Sequence, residues 1–185
     1  MNPHSQQSKN DFLQKIGLYP CIEMSTMQKI CKFSAALIVF MYFFLIRTYV
    51  PFMSSSLLVN AIGITGLVLY LKRDFFKIGL LVLYFYFGVV IILAMLFFQG
   101  IFEIDNFTLQ ELLEFLDKEM GVTPQETILT MTCAFVAMIL YTLAAGASVF
   151  VRKYESKLPA LFLLYLVLMP FIYIIGGVLA EVFID

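Results

Sequence analysis

The sequence has little charge and few of the side chains that carry out catalysis. Asp, Glu, Lys and Arg make up 14% of its 185 residues, against about 25% in an average soluble domain, which excludes a water-soluble domain of ordinary size. The single histidine is His4, and there is no HExxH, no GxSxG and no glycine-rich phosphate loop. No apolar run holds a pair of carboxylates. We therefore predict a protein that is not an enzyme and holds no cofactor.

Tryptophan is absent and cysteine is scarce. The three cysteines, Cys21, Cys31 and Cys133, match neither a disulfide framework nor a zinc site. Because the chain has no Trp, its ten tyrosines are the residues expected to anchor it at a membrane interface. The net charge of −1 gives no support to a nucleic-acid partner.

Long apolar runs dominate what is present. Apolar residues make up 62% of the chain, and roughly 17 to 25 of them in a helix cross the hydrocarbon core, which is about 30 Å thick. We predict an all-α integral membrane protein, a bundle of about five transmembrane helices with a short amphipathic helix outside the membrane. The predicted spans are residues 33–50, 57–71, 78–102, 127–151 and 158–180. The second run is short, so a re-entrant hairpin over residues 33–71 is the alternative to two full spans.

The basic residues fix an orientation for these spans. With the N-terminus in the cytoplasm, only Arg47 and Lys118 of the twelve Lys and Arg residues lie outside. Cytoplasmic loops retain basic residues, so this predicts an N-in, C-out topology, and we expect a bacterial inner membrane. The ten inner residues are Lys9, Lys15, Lys29 and Lys32 in the N-terminal segment 1–32, and a candidate cytoplasmic basic face of Lys72, Arg73, Lys77, Arg152, Lys153 and Lys157.

Two segments outside the spans have helical patterns. Within residues 1–32, apolar residues beside Lys9 and Lys15 indicate either a short interfacial helix, attracted to membrane lipids, or a solvated tail. In the outer loop, a capping box at Thr108 and leucines at helical spacing predict an acidic amphipathic helix over residues 108–120. Its candidate residues for docking a partner are Glu111, Glu114, Asp117 and Glu119.

Polar residues inside the predicted spans are candidates for function because each costs free energy unless it faces a partner or water. None of them is ionisable, which argues against a proton relay. Asn60, in the second span, is the one that we single out, and its simplest role is a hydrogen bond that holds neighbouring helices together. The candidates are Asn60, Gln99, Thr130 and Ser148.

Three classes of function remain open. The first is a non-enzymatic interaction protein, homo-oligomeric, with a cytoplasmic or extracytoplasmic protein partner: a membrane sensor, a scaffold or an immunity-type protein in a defence or stress system. The second is a homo-oligomeric channel or small transporter. Residues 66–77 and 146–157 have similar sequences. This similarity indicates either an internal repeat that assembles a pathway or the convergence of two basic turns. The third is an accessory subunit or assembly factor of a larger membrane complex.

The N-in, C-out topology predicts opposite accessibility for two single cysteines. In a variant whose three native cysteines are replaced, Lys118→Cys should react with a membrane-impermeant maleimide in intact cells. Lys153→Cys should react only after permeabilisation, because its loop is predicted to be cytoplasmic. Labelling of both positions to the same extent in intact cells would contradict the topology.

Overall fold

The structure, a computed structural model, describes residues 25–49, 57–98 and 124–184. This part of the chain is 95% helical and contains no strand, which confirms the predicted all-helical fold class. Its α-helices are α1 (Thr26–Tyr49), α2 (Leu57–Leu71), α3 (Phe76–Phe98), α4 (Pro124–Ala147) and α5 (Leu158–Ile184). Two 3-10 segments, Ser148–Phe150 and Arg152–Lys157, join α4 to α5.

Four of these helices, α1, α3, α4 and α5, are long and apolar enough to cross a membrane. The finding fits an integral membrane protein. The remaining helix, α2, has 15 residues and is therefore about 22 Å long, shorter than a hydrocarbon core of about 30 Å.

The helix ends follow local hydrogen bonding more closely than hydropathy. Helix α1 begins ahead of its apolar run because Ser25 and Gln28 form a capping box: the Ser25 N–H donates to Oε1 of Gln28 at 2.8 Å, and the Gln28 N–H donates to Oγ of Ser25 at 3.4 Å. The α-helix of the fourth predicted span ends at Ala147, and the apolar segment continues through a 3-10 turn to Phe150. The Ser148 hydroxyl donates to the carbonyl of Ala145 at 2.6 Å, the chain tightens into a 3-10 segment, and Val151 is extended.

The described residues form two compact units. The first contains residues 25–49, 57–87 and 143–166, and the second contains residues 88–98, 124–142 and 167–184. The interfacial helix predicted within residues 1–32 falls almost wholly outside the described residues, and so does the predicted outer helix 108–120.

A continuous series of aromatic rings fills the first unit. Tyr70 lies between Phe76 and Phe162, with ring centroids 5.1 and 5.2 Å away. Tyr84 then contacts both Phe162 and Tyr165, at 5.3 and 5.0 Å. The series continues through Phe87, Tyr42, Tyr86 and Phe43. Edge-to-face ring pairs add to the free energy of burial, so this aromatic core ties α1, α2, α3 and α5 together.

Two glycines allow the close helix contacts of the first unit. A Cβ at Gly79 would lie 2.0 Å from the backbone nitrogen of Tyr70, and a Cβ at Gly63 would lie 2.3 Å from the ring of Phe43. The contact at Gly79 is with backbone and is too short for any larger residue, so the start of α3 approaches the end of α2 only because glycine occupies this position. Gly63 instead leaves room for the Phe43 ring of α1 against α2.

Small residues also set the contact between α4 and α5 in the second unit. A Cβ at Gly176 would lie 2.8 Å from the Cα of Ala134. Beside this contact, the rings of Phe135 and Tyr173 pack edge to face with centroids 5.4 Å apart.

A tyrosine of α1 compensates for a proline in α5. Pro170 lies inside α5 and has no N–H for the carbonyl of Leu166, four residues earlier. The hydroxyl of Tyr42 donates to this carbonyl at 3.0 Å. In an apolar medium every backbone polar group needs an internal partner, so α5 accommodates the proline through a donor from another helix.

We expect the Tyr42 hydrogen bond to depend on Pro170. Tyr42→Phe should lower the free energy of unfolding in detergent by about 1 kcal/mol, because the Leu166 carbonyl then lacks a donor. In a Pro170→Ala background the restored N–H can bond that carbonyl, so Tyr42→Phe should cost less than half as much. A double-mutant cycle measures this coupling.

Tyr70→Phe is the matched control for this cycle. The Tyr70 hydroxyl is buried and has no hydrogen-bond partner within the described residues, so its removal should be neutral or stabilising. Equal losses for Tyr42→Phe with and without Pro170 would show that the hydroxyl does not replace the missing N–H.

Candidate functional site at the basic end

Four stretches of chain meet at one end of the first unit, which we call the basic end. It comprises the start of α1, the end of α2 with the start of α3, and the 3-10 segment before α5. Side-chain hydrogen bonds connect these stretches: Lys32 to Leu71, Lys77 to Glu155, and Gln28 to Ser156. The described residues of these stretches carry eight basic and two acidic side chains.

Six of the eight cations are exposed. Five of them belong to the predicted basic face, and the sixth comes from the first turns of α1. They are Lys72, Arg73, Arg152, Lys153, Lys157 and Lys29. The α2–α3 turn and the 3-10 segment therefore present basic side chains on the surface.

Lys77 differs from the other members of the predicted face. Its side chain is 5% exposed, and its Nζ lies 2.5 Å from Oε1 of Glu155, which is 24% exposed. Phe76 next to it is also buried. Because an unpaired buried cation is costly, this ion pair fixes the start of α3 against the 3-10 segment. Lys77 is thus an interior residue and is not available to a partner.

Lys32 is the second buried cation of the basic end, with 8% exposure. Its amine donates to the carbonyl of Leu71 at 2.8 Å, one of the carbonyls that the end of α2 leaves without an intrahelical partner. The same amine lies 5.2 Å from the ring centroid of Phe76 and 5.8 Å from that of Tyr70. The negative end of the helix dipole and the faces of the aromatic rings both stabilise a cation at this position.

The structure describes three of the four polar residues that the sequence predicts within the spans. Asn60 is half-buried in the first unit. Ser148 donates to Ala145 within its own chain segment. Thr130, in the second unit, has its methyl group 3.5 Å from where a Cβ of Gly177 would lie.

The remaining candidates cannot be placed. Gln99 and the docking residues of the outer helix, Glu111, Glu114, Asp117 and Glu119, lie outside the described residues.

Sequence reasoning missed the roles of Lys32, Glu155 and Tyr42. A signal was present for two of them, because Lys32, Ala35, Val39 and Tyr42 follow one another at helical spacing. Ala35 and Val39 are fully buried, so this stripe is the inner face of α1. The partner of Lys77 carried no such signal, since Glu155 lies 78 residues away in a basic segment.

The described residues contain no group of three or more His, Cys, Asp or Glu side chains that could hold a metal ion. Comparison with known protein families, with characterised proteins and with solved structures finds no match.

We expect the two partners of the buried ion pair to respond unequally to mutation. Glu155→Gln should lower the free energy of unfolding by about 2 kcal/mol or more, because the buried Lys77 then loses the counter-charge that Glu155 supplies. Lys77→Met should cost less, since Glu155 can reach water. When Glu155→Gln is added to Lys77→Met, the free energy of unfolding should fall by almost nothing more.

Asp74→Asn provides the control for this prediction, because Asp74 is an exposed carboxylate of the same end and should change stability by less than about 0.5 kcal/mol. If Glu155→Gln were as mild as Asp74→Asn in thermal unfolding of the full chain, the ion pair would contribute little to the fold.

Proposed function

We propose that this protein crosses the membrane five times, with the N-terminus in the cytoplasm and the C-terminus outside, and acts as a non-enzymatic interaction protein. In this role it is a homo-oligomeric sensor, scaffold or immunity-type protein of a bacterial inner membrane. The partner docks on the acidic outer helix, at Glu111, Glu114, Asp117 and Glu119, and the basic end faces the cytoplasm.

Lys32 supports α2 as the fifth span. A helix of about 22 Å is shorter than the apolar layer, so its last carbonyls lie close to that layer, where open carbonyls are costly. The Lys32 amine supplies a donor to the Leu71 carbonyl, and the neighbouring Tyr70 is fully buried in protein. A short span is thereby compatible with a membrane of normal thickness.

The single observation that carries the proposal is the closed aromatic core of the first unit. Ten large side chains of the first unit are less than 2% exposed, Tyr70, Phe76 and Phe162 among them. A path for ions through this unit of one protomer would have to cross these packed rings. Binding at surfaces is therefore favoured over conduction through the protomer.

Charge reversal on the outer helix tests the proposal. The triple variant Glu114→Lys, Asp117→Lys and Glu119→Lys should lose the protein that copurifies with the tagged wild type in mild detergent from the native host. Its abundance in the membrane should not change, because these residues are predicted to lie outside the bundle. Mass spectrometry identifies the partner and gives the mass of the intact particle.

Glu181→Lys is the matched control, since it reverses an exposed carboxylate in α5 and should retain the same partner. A pure homo-oligomer without a partner, together with ion flux in reconstituted vesicles, would contradict the proposal and favour the channel or transporter. Loss of the partner in both variants would contradict docking on the outer helix.

A further inference from the structure

Exposed apolar side chains lie among the cations of the basic end. In the α2–α3 turn, Phe75 is 41% exposed and follows Lys72 and Arg73. In the 3-10 segment, Tyr154 is 40% exposed and directly follows Lys153. Exposed rings between charged side chains do not stabilise a surface that contacts only water. At the interface of a membrane, by contrast, the headgroups accommodate the charges and the acyl chains accommodate the rings.

These stretches form one surface. The Gln28 amide donates to the backbone carbonyl of Ser156, which places the first turns of α1, with Lys29, against the segment that carries Lys157. The contact between Lys32 and Leu71 places the same helix beside the α2–α3 turn. Both turns with exposed basic side chains thus flank the start of α1.

The charge of this surface is clearly positive. Six exposed cations face one exposed acid among the described residues of the basic end, Asp74, because Glu155 is paired with Lys77. Six minus one leaves a net exposed charge of +5. The surface is therefore complementary to an anion-rich layer, and Lys and Arg side chains both bind phosphate groups.

We propose that the basic end binds anionic phospholipid headgroups, with Lys72, Arg73, Arg152 and Lys153 contacting the phosphates while Phe75 and Tyr154 insert beside the acyl chains. Each basic residue near an anionic membrane surface adds to the attraction. The mixture of rings and charges favours a lipid over an acidic protein segment. The proposal rests on the membrane insertion proposed above, and it requires neither a protein partner nor a particular orientation.

The test is native mass spectrometry of the full chain, purified in detergent and mixed with equal amounts of phosphatidylglycerol and phosphatidylcholine that have the same acyl chains. The wild type should retain the anionic lipid preferentially. Lys72→Gln with Arg73→Gln, and separately Arg152→Gln with Lys153→Gln, should each reduce this preference by at least about tenfold. The double variant Lys72→Arg and Lys153→Arg keeps every charge and should retain the preference.

Thermal unfolding of each variant separates lipid binding from folding. Because all four residues are exposed, the glutamine variants should melt with the wild type. Equal retention of both lipids by the wild type, or an unchanged preference in both glutamine variants, would overturn the proposal. Failure of the wild type to incorporate into lipid nanodiscs would instead contradict membrane insertion itself.

Discussion

The first unit depends on donors from α1 that satisfy backbone carbonyls of other helices. The Lys32 amine bonds the carbonyl of Leu71 at the end of α2, and the Tyr42 hydroxyl bonds the carbonyl of Leu166, which Pro170 leaves without its helical partner. In water either carbonyl could bond solvent, but inside an apolar layer each needs a donor from the protein. These two bonds let the bundle contain a short helix and a proline-interrupted helix, and they orient one face of α1 inward.

The aromatic core and the basic end follow from that arrangement. With Lys32 on the inner face of α1, its amine lies over the rings of Phe76 and Tyr70, and these rings begin the series that continues to Tyr165. The Lys77–Glu155 pair attaches the 3-10 segment to the same end. The interior is therefore closed by packing, while the exposed cations remain at the surface.

Hydropathy patterns predicted much of the fold. The run 57–71 is α2 residue for residue. The end of α4 could not be read in this way, because residues 148–151 are as apolar as the helix before them; the Ser148 bond to Ala145 and the extended Val151 end it. The candidate site was predicted in part. Five of the six cations of the predicted face are exposed, but Lys77 is buried by a carboxylate from a distant segment.

The sequence by itself determined the fold class, the apolar helices and the positions of the basic turns, since these depend on local composition and on hydrogen bonds between residues a few positions apart. Only the tertiary structure decided which cations are interior and which are free to meet a ligand. Lys32 and Lys77 resemble their exposed neighbours in the sequence. Leu71, 39 residues away, and Glu155, 78 residues away, supply the acceptor and the counter-charge. The helical spacing of α1 indicates the inner face on which Lys32 lies, but no local pattern in the chain identifies either partner.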